Sequence, residues 1–406
     1  MKRVLIIGGY GNFGSYIARA LASDRNIALL IGGRSKIKAD AFAAALDAIN
    51  RAEGCALDID GDIEARLCAI APDIVIHTTG PFQLQDHRVA RAAIAAGAHY
   101  LDLADAREFV ATIGELDEAA KRAGVAVIAG ASSVPCLTAA FIDRYKPRFA
   151  RLDSAIYGIA AAQATNRGLG TAAAILSYVG KPFTILASGK RKRVFGWQGL
   201  HAVRYPELGL RLFGYCDIPD LELFPSRYPE LRELRFVAGH EVKLLHVGTW
   251  LLSWAVRLGL VRSLEPYAKP LLELSFLFDP FGSEKSGFHM VLSGVGQHGG
   301  AEAIRIFMIA RQVHGPFIPC VPAILLAKRL AAGEVIASGA RPCLDLVSLD
   351  EIMGAIAHLD IDTVVDGRDL HEQWLDVKEP STPSHSAAPS RHNAQRRRGG
   401  AAAPRR

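Results

Sequence analysis

Cysteine is sparse and scattered. Six residues (Cys55, Cys68, Cys136, Cys216, Cys320 and Cys343) are spread over 406 positions with no C-x-x-C pair. That spacing excludes a zinc knot and a redox dithiol, argues against a disulfide framework, and fits a reduced, cytoplasmic setting. None of the 13 histidines shows H-x-x-x-H spacing, so no metal site is expected. Long uninterrupted apolar runs are missing as well. The most lipophilic stretch, LLHVGTWLLSWAVRLGLV from Leu244, is broken by His246 and Arg257. It reads as a buried or interfacial helix rather than an integral membrane span. The charged N-terminal dipeptide leads into a strand pattern, and glycine arrives too soon for a signal-peptide core.

Acidic residues are nearly absent from the end of the chain. Seven basic residues and the single acid Glu379 lie between Lys378 and Arg406, so this tail holds the whole net charge of +6. The body from Met1 to Val377 is formally neutral and has no bulk electrostatic reason to bind nucleic acid. Pro, Ser, Ala and Arg dominate 378–406 without apolar periodicity, which predicts disorder. The KRKR run at 190–193 reads as a solvated loop rather than a targeting signal.

What is present is a strong rhythm. Short β-rich runs at 3–7, 27–31, 55–59, 73–78, 99–103 and 125–130 alternate with alanine-rich helical stretches. Runs this continuous are strands buried on both faces and joined by crossover helices. The expected fold is α/β: a doubly wound parallel Rossmann sheet over 1–150 with a second α+β domain containing an antiparallel sheet over 151–320. A helical segment over 321–377 is expected to pack back on the first domain. Asp86 marks one helix start, and Asp105 with Glu108 reads as a capping box.

The opening MKRVLIIGGYGNFGSYIARALA carries the chemistry. Gly9-x-Gly11-x-x-Gly14 follows a strand and precedes a helix. In that context Gly9 permits a tight turn, Gly11 lets a pyrophosphate approach the backbone, and Gly14 lets the helix pack closely on the sheet. Asn12 and Phe13 fall at the helix start, where free N–H groups face the phosphates. About 20 residues on, where an NAD site carries a carboxylate, this chain has Gly33 and Arg34, then Ser35, Lys36 and Lys38. A guanidinium there pairs with a 2′-phosphate, which favours NADP(H). Asp58 reads equally as a partner for the adenine amine or as a turn cap. No tyrosine is followed by lysine at the fourth position, so the short-chain dehydrogenase arrangement is excluded.

GGYGNFG, GGR, TTGPF, HYLDL with an acid shortly after, and GASSVP together resemble the saccharopine dehydrogenase-like NADP-binding oxidoreductases over about residues 1–145. The resemblance implies a nicotinamide-dependent enzyme. It places Thr78, Thr79, Gly80, Pro81 and Phe82 beside the nicotinamide, with Ser132, Ser133 and Pro135 closing the crevice. His77 stands where many relatives have asparagine, and reads either as a proton donor or, more simply, as a histidine buried at a strand end. Asp102 reads as orienting a substrate amine or as a cap. Polar anchors in the second domain are drawn from Tyr215, Asp217, His240, Lys243, His289 and Arg305, each with a structural alternative. Trp197, Trp250 and Trp254 among many leucines predict an apolar surface serving as core, homodimer contact or lipid-like pocket. Three functions follow: hydride transfer to a small-molecule C=N or C=O centre, an enoyl reductase acting on a lipid or acyl C=C, and a non-catalytic NADP-binding scaffold.

Overall fold

A computed structural model describes residues 1–366; the tail expected to be disordered, 378–406, lies outside them. The predicted rhythm appears as β1 (Lys2–Ile7), β2 (Ile27–Gly33), β3 (Glu53–Ala56), β4 (Ile74–His77), β5 (His99–Asp102) and β6 (Ala126–Ala129). The third strand runs over 53–56 rather than 55–59, and its Gly54 lies close against the backbone of Asp40. The second sheet contains β7 (Phe149–Ala160), β8 (Pro182–Ala187), β9 (Lys190–Phe195), β10 (His201–Tyr205), β11 (Gly209–Tyr215), β12 (Glu233–Gly239), β13 (Ser286–Gly296) and β14 (Ala301–Ala310). Two strands close the described chain, β15 (Gly339–Pro342) and β16 (Ile361–Asp366).

The first sheet is wholly parallel, in the order β15-β6-β5-β4-β1-β2-β3. Val4 to Ile7 are buried at its centre, with Leu5 level with Leu30 on one side and Val75 on the other. Burial on both faces is what a continuous apolar run requires. The order reverses between β1 and β4, which opens a crevice at their carboxyl ends. Within the segment expected to be helical over 321–377, the described residues 321–366 include two strands, of which Ile361–Asp366 pairs with β14 of the second sheet. Between the helices Val321–Ala331 and Leu349–Ile356, residues 339–342 add the seventh strand of the first sheet.

The second sheet runs β10-β11-β12-β7-β13-β14-β16, with β8 joining β12 and β9. Its pairs are antiparallel except β7 with β12, which run parallel. The KRKR run is a strand of the β8–β9 hairpin rather than a loop, and Arg191 pairs with Glu222. One apolar cluster continues from Val4 and Ile31 through Phe141 to Phe288 and Met290, so both sheets share a core. The rings of Phe141 and Phe288 stack at 5.5 Å across that junction. No described helix is long and apolar enough to cross a membrane.

Candidate active site

The glycine-rich turn links β1 to helix α1 (Asn12–Leu21). Its left-handed residue is Gly8 (φ 80°), the residue before the first glycine of the motif. A Cβ on Gly8 would stand 2.7 Å from Thr79 Oγ1 and 2.8 Å from Thr78 Oγ1, closing the gap between the β1 and β4 turns. Gly9 is needed for packing instead, since its Cβ would meet Ile6 O at 2.9 Å. Gly11 caps α1 without any side-chain hydrogen bond, and the first turn holds no acid. The opening amides of α1 are thus left for an anion. Gly14 lets α1 sit directly on Gly8.

Tyr10, which the motif reading passed over, ties this turn to the next one. Its ring lies against Gly33, and its hydroxyl accepts a hydrogen bond from Ser35 N–H at 3.1 Å. Arg34 is thereby held beside the glycine turn, exposed and without an ion pair among the described residues. The neighbouring candidates have local roles. Ser35 caps helix α2 (Lys36–Ala44) by accepting from Lys38 N–H, and Lys36 pairs with Asp40 at 2.7 Å. Asp58 accepts from Asp60 N–H at 3.2 Å, the turn-capping alternative.

A cavity of about 1120 Å³ opens from this turn into the second domain. Its wall includes Gly8, Gly11, Asn12, Phe13, Thr78, Thr79, Gly80, Pro81, Phe82, Ser132 and Ser133. Gly9, Gly14, Arg34, Ser35, Lys36 and Asp58 lie outside that wall. Thr78 Oγ1 donates to Ile7 O at 2.9 Å, and Gln85 Nε2 donates to Thr79 O at 2.7 Å, so the Thr-Thr-Gly-Pro turn is fixed from both ends.

His77 and Asp102 stand behind this wall rather than on it, with exposures of 1% and 0%. The His77 ring packs edge-on against Phe82, and its Nδ1 lies 3.1 Å from the Tyr100 hydroxyl. Burial lowers its pKa to about 3, so the ring stays neutral near pH 7 and donates no proton to the cavity. The buried-histidine alternative fits. Asp102 Oδ1 accepts from Gly130 N–H at 2.7 Å and Ala104 N–H at 3.0 Å. It latches the end of β5 to the turn that carries Ser132 and Ser133, and so positions them. The Asp105–Glu108 capping box is absent. Ala106 precedes the helix Arg107–Ala111 without a side-chain cap, and Asp105 instead accepts from Gln83 Nε2 at 3.1 Å. Asp105 lines the cavity and is exposed there.

Burial raises the Asp102 pKa to about 7. Its protonated form therefore contributes stability that is complete below the unfolded value near pH ~4 and disappears as pH rises through about 7. Asp102→Asn keeps the acceptor but cannot ionise. The variant is expected to gain on the wild type, by an increasing margin, between those two pH values. Parallel urea titrations across that range test this, and a constant difference refutes it.

Of the second-domain candidates only His240 lines the cavity, where burial lowers its pKa to about 4 and Thr249 Oγ1 lies 3.3 Å from Nε2. His289 is enclosed within the sheet against the Tyr205 hydroxyl at 2.6 Å, and Arg305 is likewise buried on β14. Asp217 pairs with Arg107 at 3.4 Å, Tyr215 packs under Gly199, and Lys243 is exposed at a helix start. The residues that shape the chamber are apolar: Leu244, Leu245, Leu251 and Leu252 from the helix Lys243–Arg257, and Leu271, Leu272 and Leu274 from the helix Ala268–Phe276. The broken hydropathy of 244–261 was the available signal. Arg167 is the one lysine or arginine on the described lining, and it pairs with Asp279 at 2.5 Å. No group of residues suited to a metal ion occurs among the described residues.

This is a dinucleotide-binding type of α/β domain joined to a second sheet domain across a shared cavity. Residues 4–128 match the saccharopine dehydrogenase NADP binding domain, so this part of the chain is a saccharopine dehydrogenase-like NADP-binding domain, and the cofactor is NADP(H). The Gly8 gap, the uncapped α1 and the paired turns fit that group. No curated protein matches the chain. Among solved structures, apo saccharopine dehydrogenase (L-Glu forming) from Saccharomyces cerevisiae is similar at 14% identity and TM-score 0.61, covering 90% of this chain and 100% of its own. That likeness shows the fold. Biliverdin reductase from Synechocystis and a meso-dapdh mutant from Clostridium tetani align at 14% identity with TM-scores of 0.40 and 0.41. Each covers 87% of this chain and 96% of its own.

Proposed function

We propose that the chain is an NADP-dependent oxidoreductase that transfers hydride between nicotinamide C4 and an unsaturated carbon of an apolar small molecule. The observation that supports this is continuity: the glycine turn and a leucine-lined chamber are walls of one cavity. The bound cofactor supplies the hydride chemistry, while the protein supplies binding, orientation and a proton. Thr79 to Phe82 hold one side of the crevice, and Ser132 and Ser133 hold the other. Asp105 is the proton source, because it is the carboxylic acid on the described lining, beside the Thr79–Phe82 turn.

A carbonyl or an activated C=C on an apolar chain suits this lining better than the C=N centre of an amino acid derivative. Amino acid recognition calls for cations to hold carboxylates, and Arg167 is already engaged by Asp279. The test is NADPH consumption with a series of alkyl enones and ketones beside keto acid and amine pairs. kcat/KM is expected to rise about fourfold per added methylene until the chamber fills, following the transfer free energy of a CH2 group. Asp105→Asn should lower kcat by about a hundredfold or more while NADPH affinity holds. Turnover of the polar pairs alone restores the C=N reading, and no turnover of any member favours the scaffold.

A further inference from the structure

The helix Lys243–Arg257 is turned inside out. Its buried positions are His246, Ser253 and Val256, whereas Leu244, Leu251 and Leu252 are exposed where the cavity meets solvent. A helix covering a protein core does the reverse. The outward apolar character continues past this helix through Leu258 (67% exposed) and Leu260 (76%), and beyond the helix Ala268–Phe276 to Leu277. This surface and the cavity share Leu244, Leu251, Leu252 and Leu274, so the patch borders the chamber.

The margin of the patch has its own chemistry. Trp250 and Trp254 stand edge to face at 6.2 Å, and the Arg257 guanidinium lies 4.7 Å over the Trp254 ring. Amphipathic rings beside cations on long stems suit the boundary between water and lipid. Over 243–277 the basic residues Lys243, Arg257, Arg262 and Lys269 are all exposed, against the two acids Glu265 and Glu273. The surface is therefore complementary to negative headgroups. At 15 residues the helix reaches roughly 22 Å, short of the ~30 Å hydrocarbon core, so it lies along a membrane rather than through it.

We propose that this face docks on an anionic phospholipid bilayer and that the apolar substrate enters the cavity from the lipid. The second half of this statement rests on reading the cavity as the substrate chamber. A second copy of the chain on the same face would also bury the leucines, but it would cover the residues shared with the cavity. A bilayer covers them and delivers substrate at the same place.

The test is cosedimentation of the full chain with vesicles of phosphatidylcholine plus phosphatidylglycerol, and with phosphatidylcholine alone, beside a mass measurement without lipid. Binding is expected to be several-fold tighter to the anionic vesicles. Leu258→Glu combined with Leu260→Glu should weaken it by more than about tenfold with NADPH affinity unchanged. Both positions are exposed and neither lines the cavity, so folding and cofactor binding are spared. The basic tail is common to both proteins, so the difference reports the leucine face. Absence of binding, binding that survives the double variant, or a lipid-independent dimer that the variant dissociates would each overturn the proposal. Failure of the wild type to bind NADPH would strike the cofactor assignment instead, and the vesicle result would still decide docking.

Discussion

Gly14→Ala is expected to abolish measurable NADPH binding and to lower the unfolding midpoint. The added methyl would lie 2.2 Å from Gly8 O and 2.8 Å from both Gly8 C and Gly9 Cα. All three are backbone atoms of a turn fixed between β1 and α1, so no side chain is free to move aside. Relief requires α1 to retreat from the sheet, and overpacking of this kind costs about 1–3 kcal/mol, sometimes more. The retreat carries the opening amides of α1 away from the phosphates, for an expected loss of about a hundredfold or more in affinity. Gly11→Ala is the instructive partner. Its methyl would meet Gly8 O at 3.0 Å and Gly8 C at 4.0 Å, and Gly11 lines the cavity. Stability should hold while NADPH affinity falls. Thermal unfolding and fluorescence titration of the pair separate packing from ligand contact. Unchanged affinity in Gly11→Ala would mean that no pyrophosphate lies there.

The first domain was legible because its strands are continuous apolar runs and its glycines sit between a strand and a helix. Burial then decided what spacing left open. His77 and Asp102 lie at strand ends in the right crevice, but whether such side chains face a cavity or the sheet interior depends on packing of His77 with Tyr100, 23 residues on, and of Asp102 with Gly130, 28 residues on. Tyr10 was missed because its role is a contact with Gly33 and Ser35 across 25 positions, with no local periodicity to mark it. Strand β15 was hidden by its brevity, since four residues beginning with glycine and ending with proline carry little strand signal. The leucine chamber was half legible: Trp250 and Trp254 among the leucines announced an apolar surface, but not that the helix would bury His246 and leave its leucines exposed along the cavity.

Arg34→Ala is the variant expected to change cofactor choice most. The side chain is exposed and free of ion pairs among the described residues, so its removal leaves no buried charge and no cavity. Stability should move little. A charge-assisted contact to the 2′-phosphate is lost, worth about tenfold to a hundredfold in NADPH affinity, while NADH, lacking that phosphate, should bind the variant and the wild type alike. Lys36 is poorly placed to compensate because Asp40 holds its ammonium at 2.7 Å. Tyr10→Phe supplies the second arm. It removes only the hydroxyl that accepts from Ser35 N–H, loosening the turn that carries Arg34 without touching the guanidinium. A smaller loss of the same NADPH-selective kind is expected, roughly severalfold for one hydrogen bond. Equal losses for NADPH and NADH in Arg34→Ala would show that Arg34 does not read the 2′-phosphate. A Tyr10→Phe effect without selectivity would show that the tyrosine serves the glycine turn as a whole rather than the arginine beside it.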